Sequence, residues 1–292
     1  MEAQPQTDIQ QLPLVKRSAL LYKLKKNKLT MAGGIILGVI ILAAILAPLL
    51  TPYNPTVIDA ANKFQPPSWS HWFGTDEVGR DIFTRILYGA RLSLGLGILA
   101  ILIAAAIGLM IGTISGYFGG MIDQVIMRIM DMVLAFPTLI LAMALAAALG
   151  PSIQNAMIAI AIVKIPVYVR LARSETLSLR ESLFVKSAQT FGIHPLRIIR
   201  KHIMPNSVSP VIIQGTLDVG DAILLIATLG FLGLGAQPPA PEWGAMISIG
   251  WKYLLDFWWY PTFPCLLLFL SAGALNLIGD GIRDVLDPKS SR

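Results

Sequence analysis

The run MAGGIILGVIILAAILAPLL at 31–50 holds twenty residues and no charge. As a helix rising 1.5 Å per residue it extends about 30 Å, the thickness of a bilayer's hydrocarbon core. No other feature limits the fold so strongly, because within lipid every backbone N–H and C=O must find its partner inside the protein. A secretory signal is the competing reading. The apolar part is longer than a signal's, no clean cleavage site follows, and thirty residues precede it, so we read an uncleaved first span. Comparable apolar stretches place further spans at about 92–117, 125–149, 153–171, 207–229 and 258–277. The expected fold is therefore all-α: a polytopic membrane bundle of six helices.

Composition agrees. The chain is 55% hydrophobic and 14% charged, with a mean hydropathy of +0.67. Soluble domains carry about 25% charge. The single cysteine, Cys265, lies in an apolar run and supports neither a disulfide framework nor a Cys-based metal site. His71, His194 and His202 lack zinc spacing, and no GxxxxGK[ST] loop is present. We find no catalytic set, no metal site and no Walker site, so ATP-driven work would require another chain.

The positive charge is concentrated. Residues 1–30 carry Lys16, Arg17, Lys23, Lys25, Lys26 and Lys28, and residues 164–206 carry eight Lys/Arg against two Glu. The remaining main loops are close to neutral. By the positive-inside rule both basic segments are cytoplasmic, and an even number of spans puts both termini there. Because the basic residues sit beside spans, nucleic-acid binding is excluded as a reading. The organisation expected is a cytoplasmic basic segment at 1–30, the first span at 31–50, an extracytoplasmic loop at 51–91, a transmembrane core at 92–288 and a short tail at 289–292.

Details within the spans carry further expectations. Residues 81–91 read as a short amphipathic helix preceding the second span. Gly108, Gly112, Gly116 and Gly120 recur every four residues and form one small-residue face for close helix packing. Pro137 is expected to kink the third span and Pro166 to break the fourth. Lys164 is placed near the cytoplasmic surface, where it would snorkel. Trp258, Trp259 and Tyr260 mark an interfacial entrance to the last span. Asp218 and Asp221, three residues apart within the fifth span, share one helix face. Carboxylates are costly against lipid, so that face should meet protein or water. Lining a translocation path and packing on a polar helix both satisfy this.

The longest polar stretch, 169–206, separates the fourth and fifth spans. Ser187, Ala188 and Gly192 read as small surfaces near a helix–turn–helix bend. His194-Pro195 starts a new helix with Leu196, Ile199 and Ile203 on one face and Arg197, Arg200 and Lys201 elsewhere, and Pro205 ends it. An interfacial helix on anionic lipid and a helix docked in a partner's cleft fit this pattern equally.

The segment KSAQTFG, followed ten residues later by IMP, resembles the coupling motif of permease subunits of bacterial ATP-binding-cassette importers. Lys186 and Ser187 stand where the family has Glu and Ala, while Ala188, Gly192, Ile203 and Pro205 match. HWFGTDEVGRDIFTRILYGARLSL at 71–94, FLGLGAQPPAPEWGAM at 231–246 and NLIGDGIRDVLDP at 276–288 are similar to the subgroup that imports dipeptides, oligopeptides, glutathione or nickel. The resemblance covers about residues 31–288. It implies an inner-membrane, non-catalytic subunit that binds no cofactor itself. Its partners would be a second homologous permease, two cytoplasmic ATPase subunits carrying ATP and Mg2+, an extracytoplasmic solute-binding protein and membrane lipid. The loop 186–205, including Arg197 and Arg200, would be the ATPase-coupling element. A lone ion-coupled transporter and a membrane scaffold for a soluble partner are the alternatives.

Overall fold

The computed structural model describes residues 27–286. The tail at 289–292 and nearly all of the basic segment at 1–30 lie outside the described residues. Helix α1, Lys28–Ile45, opens at Asn27, whose side-chain oxygen accepts from the amides of Leu29 and Thr30. A short α2, Ala47–Leu50, continues it. An irregular stretch then leads to α3, Ile82–Phe118, where Asp81 is the N-cap and accepts from the Thr84 amide at 2.7 Å.

The separate helix expected at 81–91 does not exist: α3 is continuous through it. No proline lies between Ile82 and Phe118, and the alternation of apolar and polar residues there changes the surroundings of the helix without interrupting it. At 37 residues α3 is about 55 Å long, so its ends project beyond a hydrocarbon core.

The third span bends at Pro137, as expected, but the bend is a full break and not a kink within one helix. It is a pair, α4 at Gly120–Leu134 and α5 at Thr138–Leu149, bent by 93°. Pro137 caps α5 and turns the chain sharply. In α6, Ile153–Arg180, Pro166 lies inside an unbroken helix. Burial of the surrounding face holds the helix together despite the missing amide.

After α6 come α7, Leu183–Thr190, and α8, Pro195–Ile198. A π turn at Ile199–Ile203 then runs directly into α9, Met204–Phe231. Pro205 therefore ends nothing. An α-turn would set its ring against the Lys201 carbonyl; in the wider turn the Met204 amide donates to the Ile199 carbonyl, five residues back. Helices α10, Trp243–Trp251, and α11, Trp259–Leu286, complete the chain.

Five of these helices are long and apolar enough to cross a membrane, and six crossings result if the bent pair counts as one. No strand occurs among the described residues; Thr75 and Asp81 form an isolated bridge. The main apolar core joins α3, α5, α6 and α9 through residues such as Ala104, Ala146, Ile160 and Ile226. Large apolar side chains, including Ile35, Val39, Leu102 and Met110, remain on the outside. An oily exterior over a packed interior is what lipid requires.

The most extensive helix packing is that of α3 on α6, and the glycine face explains it. A Cβ on Gly108 would overlap Tyr168, one on Gly112 would overlap the Val169 carbonyl, and one on Gly116 would lie 2.8 Å from Thr176 Cβ. Gly120 does not belong to this face. It sits past the end of α3 with φ +56° and begins α4.

Candidate functional site

Between α6 and α9 the chain forms a compact hairpin. One side is apolar and buried: Val185 and Ala188 of α7 meet Ile198, Ile199 and Ile203 over Tyr117 at the end of α3. Gln189 Nε2 adds a hydrogen bond to Tyr117 Oη at 3.3 Å. The bend is a Schellman turn. Gly192 at φ +70° donates to the Gln189 carbonyl, and Ile193 donates to the Ala188 carbonyl. Pro195 follows as the first helical residue, where its missing amide has no consequence.

This places the residues singled out in the sequence in two groups. Ala188 and Ile203 hold the hairpin together; Lys186, Ser187, Gly192, Arg197, Arg200 and Pro205 are exposed. Lys186, at the position that departs from the coupling motif, pairs with Glu181 at 2.9 Å. That pair holds the exposed Glu181 carboxyl below its usual range, mainly through the hydrogen bond to Lys186. Leu196 points outward, contrary to the face expected for it, because the π turn rotates Ile198 inward together with Ile199 and Ile203. The sequence reading missed the apolar part of the outer surface: Leu183, Phe191 and Leu196 are 80%, 84% and 58% exposed among the basic side chains.

Asp218 and Asp221 meet a residue that reading had put elsewhere. Lys164 does not snorkel; it is buried on α6 and pairs with both acids on α9. Its Nζ lies 3.4 Å from Asp218 Oδ1 and hydrogen-bonds Asp221 Oδ2. Tyr168 Oη donates to Asp218 Oδ2 at 2.7 Å, and Gln214 Nε2 donates to the same oxygen at 3.3 Å. Asp218 is thereby enclosed, whereas the Asp221 side chain keeps 54% exposure. Two further cations of α6 reach α4: Arg173 makes a bidentate contact with Asp123 at 2.5 and 2.6 Å, and Arg170 meets Asp131 at 2.6 Å.

At the opposite end of α3, the 71–94 segment forms a buried ion cluster. Arg80 Nε donates to Asp76 Oδ2 at 2.6 Å, and Arg85 Nε stands 3.5 Å from that oxygen as an ion pair without hydrogen-bond geometry. Arg85 Nη1 donates to the carbonyls of Pro55 and Pro239 at 2.7 and 3.2 Å, joining two distant loops. Arg80 also reaches Glu77, which accepts from Tyr260 Oη on α11. His71 Nδ1 lies 2.9 Å from Asp81 Oδ1. Nearby, Glu242 caps α10, and burial holds its carboxyl above the usual range despite two amide donors. Among the described residues, no three His, Cys, Asp or Glu are grouped to hold a metal.

A long-helix bundle with a basic hairpin at one end, an ion-clustered cap at the other and a charged network between is the architecture of a membrane transport subunit. Residues 108–292 match the family "Binding-protein-dependent transport system inner membrane component", and residues 18–67 match "N-terminal TM domain of oligopeptide transport permease C". The chain belongs to the first of these families. It is 51% identical over 271 residues to the probable D,D-dipeptide transport system permease protein DdpC of Escherichia coli K12, covering 93% of this chain and 91% of that protein. It is 52% identical over 267 residues to the dipeptide transport system permease protein DppC of Alkalihalophilus pseudofirmus, covering 91% and 88%. The glutathione transport system permease protein GsiD of Escherichia coli O6:K15:H31 is 42% identical over 268 residues, with 91% and 88% covered. The chain is therefore an inner-membrane permease subunit of an ATP-binding-cassette importer, and the ATPase is a separate subunit. The ion-coupled and scaffold alternatives are set aside.

Proposed function

We propose that this subunit pairs with a second, homologous permease to form the path for a dipeptide or similar small peptide. Two cytoplasmic ATPase subunits, which carry ATP and Mg2+, drive it, and an extracytoplasmic binding protein delivers the solute at the Asp76–Arg85 end. Both termini and the 181–204 hairpin are cytoplasmic in this reading. The hairpin seats in a groove of the ATPase, with Arg197, Arg200 and Lys186 around the apolar contacts of Leu183, Phe191 and Leu196. Asp221, with Asp218 behind it, faces the path, because a half-exposed carboxylate within a span is costly against lipid.

The observation that carries the reading is the two-sided hairpin. Its inner face is fixed to the end of α3 by buried apolar side chains, so its outer face is presented as a rigid surface. A segment lying on lipid would have no need of this internal core. The test is site-directed cross-linking in the reconstituted complex. Cysteine at Phe191 or Arg197 should cross-link to the ATPase and respond to nucleotide. Labelling of those positions from the extracytoplasmic side would overturn the orientation, and absence of cross-links to an assembled ATPase would overturn the docking.

A further inference from the structure

We propose that Lys164 is a positioning residue that locks α6 to α9 so that the two helices move as one lever. The proposal rests on the coupling role given above to the hairpin, because α6 and α9 are the helices that enter and leave it. A hairpin can move solute only if displacement at its base is passed on to the membrane region. Interdigitated apolar faces already pass displacement on, and a hydrogen-bonded ion network adds a fixed register to them.

The network between α6 and α9 is directional. Lys164 and Tyr168 lie one turn apart on α6; Gln214, Asp218 and Asp221 lie on successive turns of α9. Lys164 bridges two of those turns and Tyr168 secures the middle one, so both the rotation and the rise of one helix relative to the other are fixed. A slip of one turn, about 5.4 Å, would break the Tyr168–Asp218 bond and leave Lys164 with one of its two acids at most. Removing one partner from a buried ion pair leaves an uncompensated charge, which makes such a slip costly.

The network is also tied to the α3 scaffold. Gly108 leaves the space into which Tyr168 fits, and the Tyr168 hydroxyl reaches across to Asp218. Arg173 and Arg170 hold the hairpin-proximal half of α6 to α4. The lever therefore has a defined upper pin at Lys164 and a defined lower brace at Arg173, with the hairpin beyond.

The test uses the complete complex in proteoliposomes and reads solute imported per ATP hydrolysed. Lys164→Met should assemble and retain the Arg197→Cys cross-link to the ATPase, while import per ATP falls several-fold because displacement of the hairpin is no longer passed on in full. Exchanging the charges, with Lys164→Asp and Asp221→Lys together, should raise import per ATP above that of Lys164→Met. Normal import per ATP in Lys164→Met overturns the lock, as does a charge exchange that restores nothing. If Lys164→Met does not assemble, Lys164→Gln is read the same way, and failure of both to assemble overturns the lock in favour of a role in folding alone. Loss of the cross-link in otherwise unaltered protein would instead defeat the docking reading, so the two failures are distinguishable.

Discussion

The carboxylate of Glu242 occupies the space where Gly230 has no side chain. A Cβ on Gly230 would overlap Glu242 Oε2, while the two carboxylate oxygens accept from the amides of Gly244 and Ala245 at 2.8 Å. Ser93 Oγ lies 3.4 Å from the same carboxylate, so one buried acid joins α9, α10 and α3. Gly230→Ala should displace the cap and destabilise the subunit by about 1–3 kcal/mol, the usual cost of overpacking. Gly38→Ala, on a face of α1 with no atom within 4 Å, should be neutral or slightly stabilising. Thermal unfolding of the two variants in detergent checks the contrast.

Ionisation of Glu242 opposes folding. Burial raises its carboxyl above the reference value of 4.5, so between that value and the raised one the folded state binds more protons than the unfolded state. Stability from this group is thus present at low pH and is lost as pH rises through the folded pKa. The difference in thermal stability between wild type and Glu242→Gln should shrink or reverse as pH rises through this window. A difference independent of pH would show that the acid is not buried as described.

The Asp76 cluster should dominate the stability of the loop end. Asp76 is fully buried and faces two guanidinium groups, Arg80 and Arg85. Asp76→Asn leaves Arg85 without its ion-pair partner and Arg80 with the part-exposed Glu77 in its place, and should cost about 3–5 kcal/mol. Glu77→Gln should cost less, because Glu77 is partly exposed and its hydrogen bonds go to Arg80 and Tyr260 at the edge of the cluster. Limited proteolysis within 51–81 gives the readout: Asp76→Asn should be cut much faster than Glu77→Gln.

Legibility in the sequence followed the range over which each signal acts. The Gly108, Gly112 and Gly116 face was readable because a spacing of four nearly completes a helical turn, and the close partner it implied is α6. Gly192 was readable as part of a helix–turn–helix bend for an equally local reason. Pro166 and Pro205 misled because a proline reports a local preference, which burial in one case and a π turn in the other overrode. Lys164 could not be placed at all: its partners lie 54 and 57 residues further along, and only the packing of α6 on α9 brings them to it. Arg80 and Arg85 belong to the recognised 71–94 segment, yet nothing in their spacing showed that both turn inward on Asp76. Leu196 was assigned to the wrong face because an ordinary helical period was carried across a turn that is wider than that period.

Gly192 separates the fold of the hairpin from its docking. At φ +70° any side chain there strains the backbone by about 1–2 kcal/mol, whatever its size. A Cβ would meet no atom of this chain within 4 Å, so Gly192→Ala and Gly192→Leu should lower the stability of the isolated subunit equally. In the assembled importer the two should diverge. Leucine projects from the tip of the bend, beside the exposed Phe191, into whatever grips it, whereas alanine barely does. ATP-driven uptake should therefore fall several-fold further in Gly192→Leu than in Gly192→Ala, with membrane insertion unchanged in both. Equal uptake in the two variants would mean that no partner surface closes over this bend.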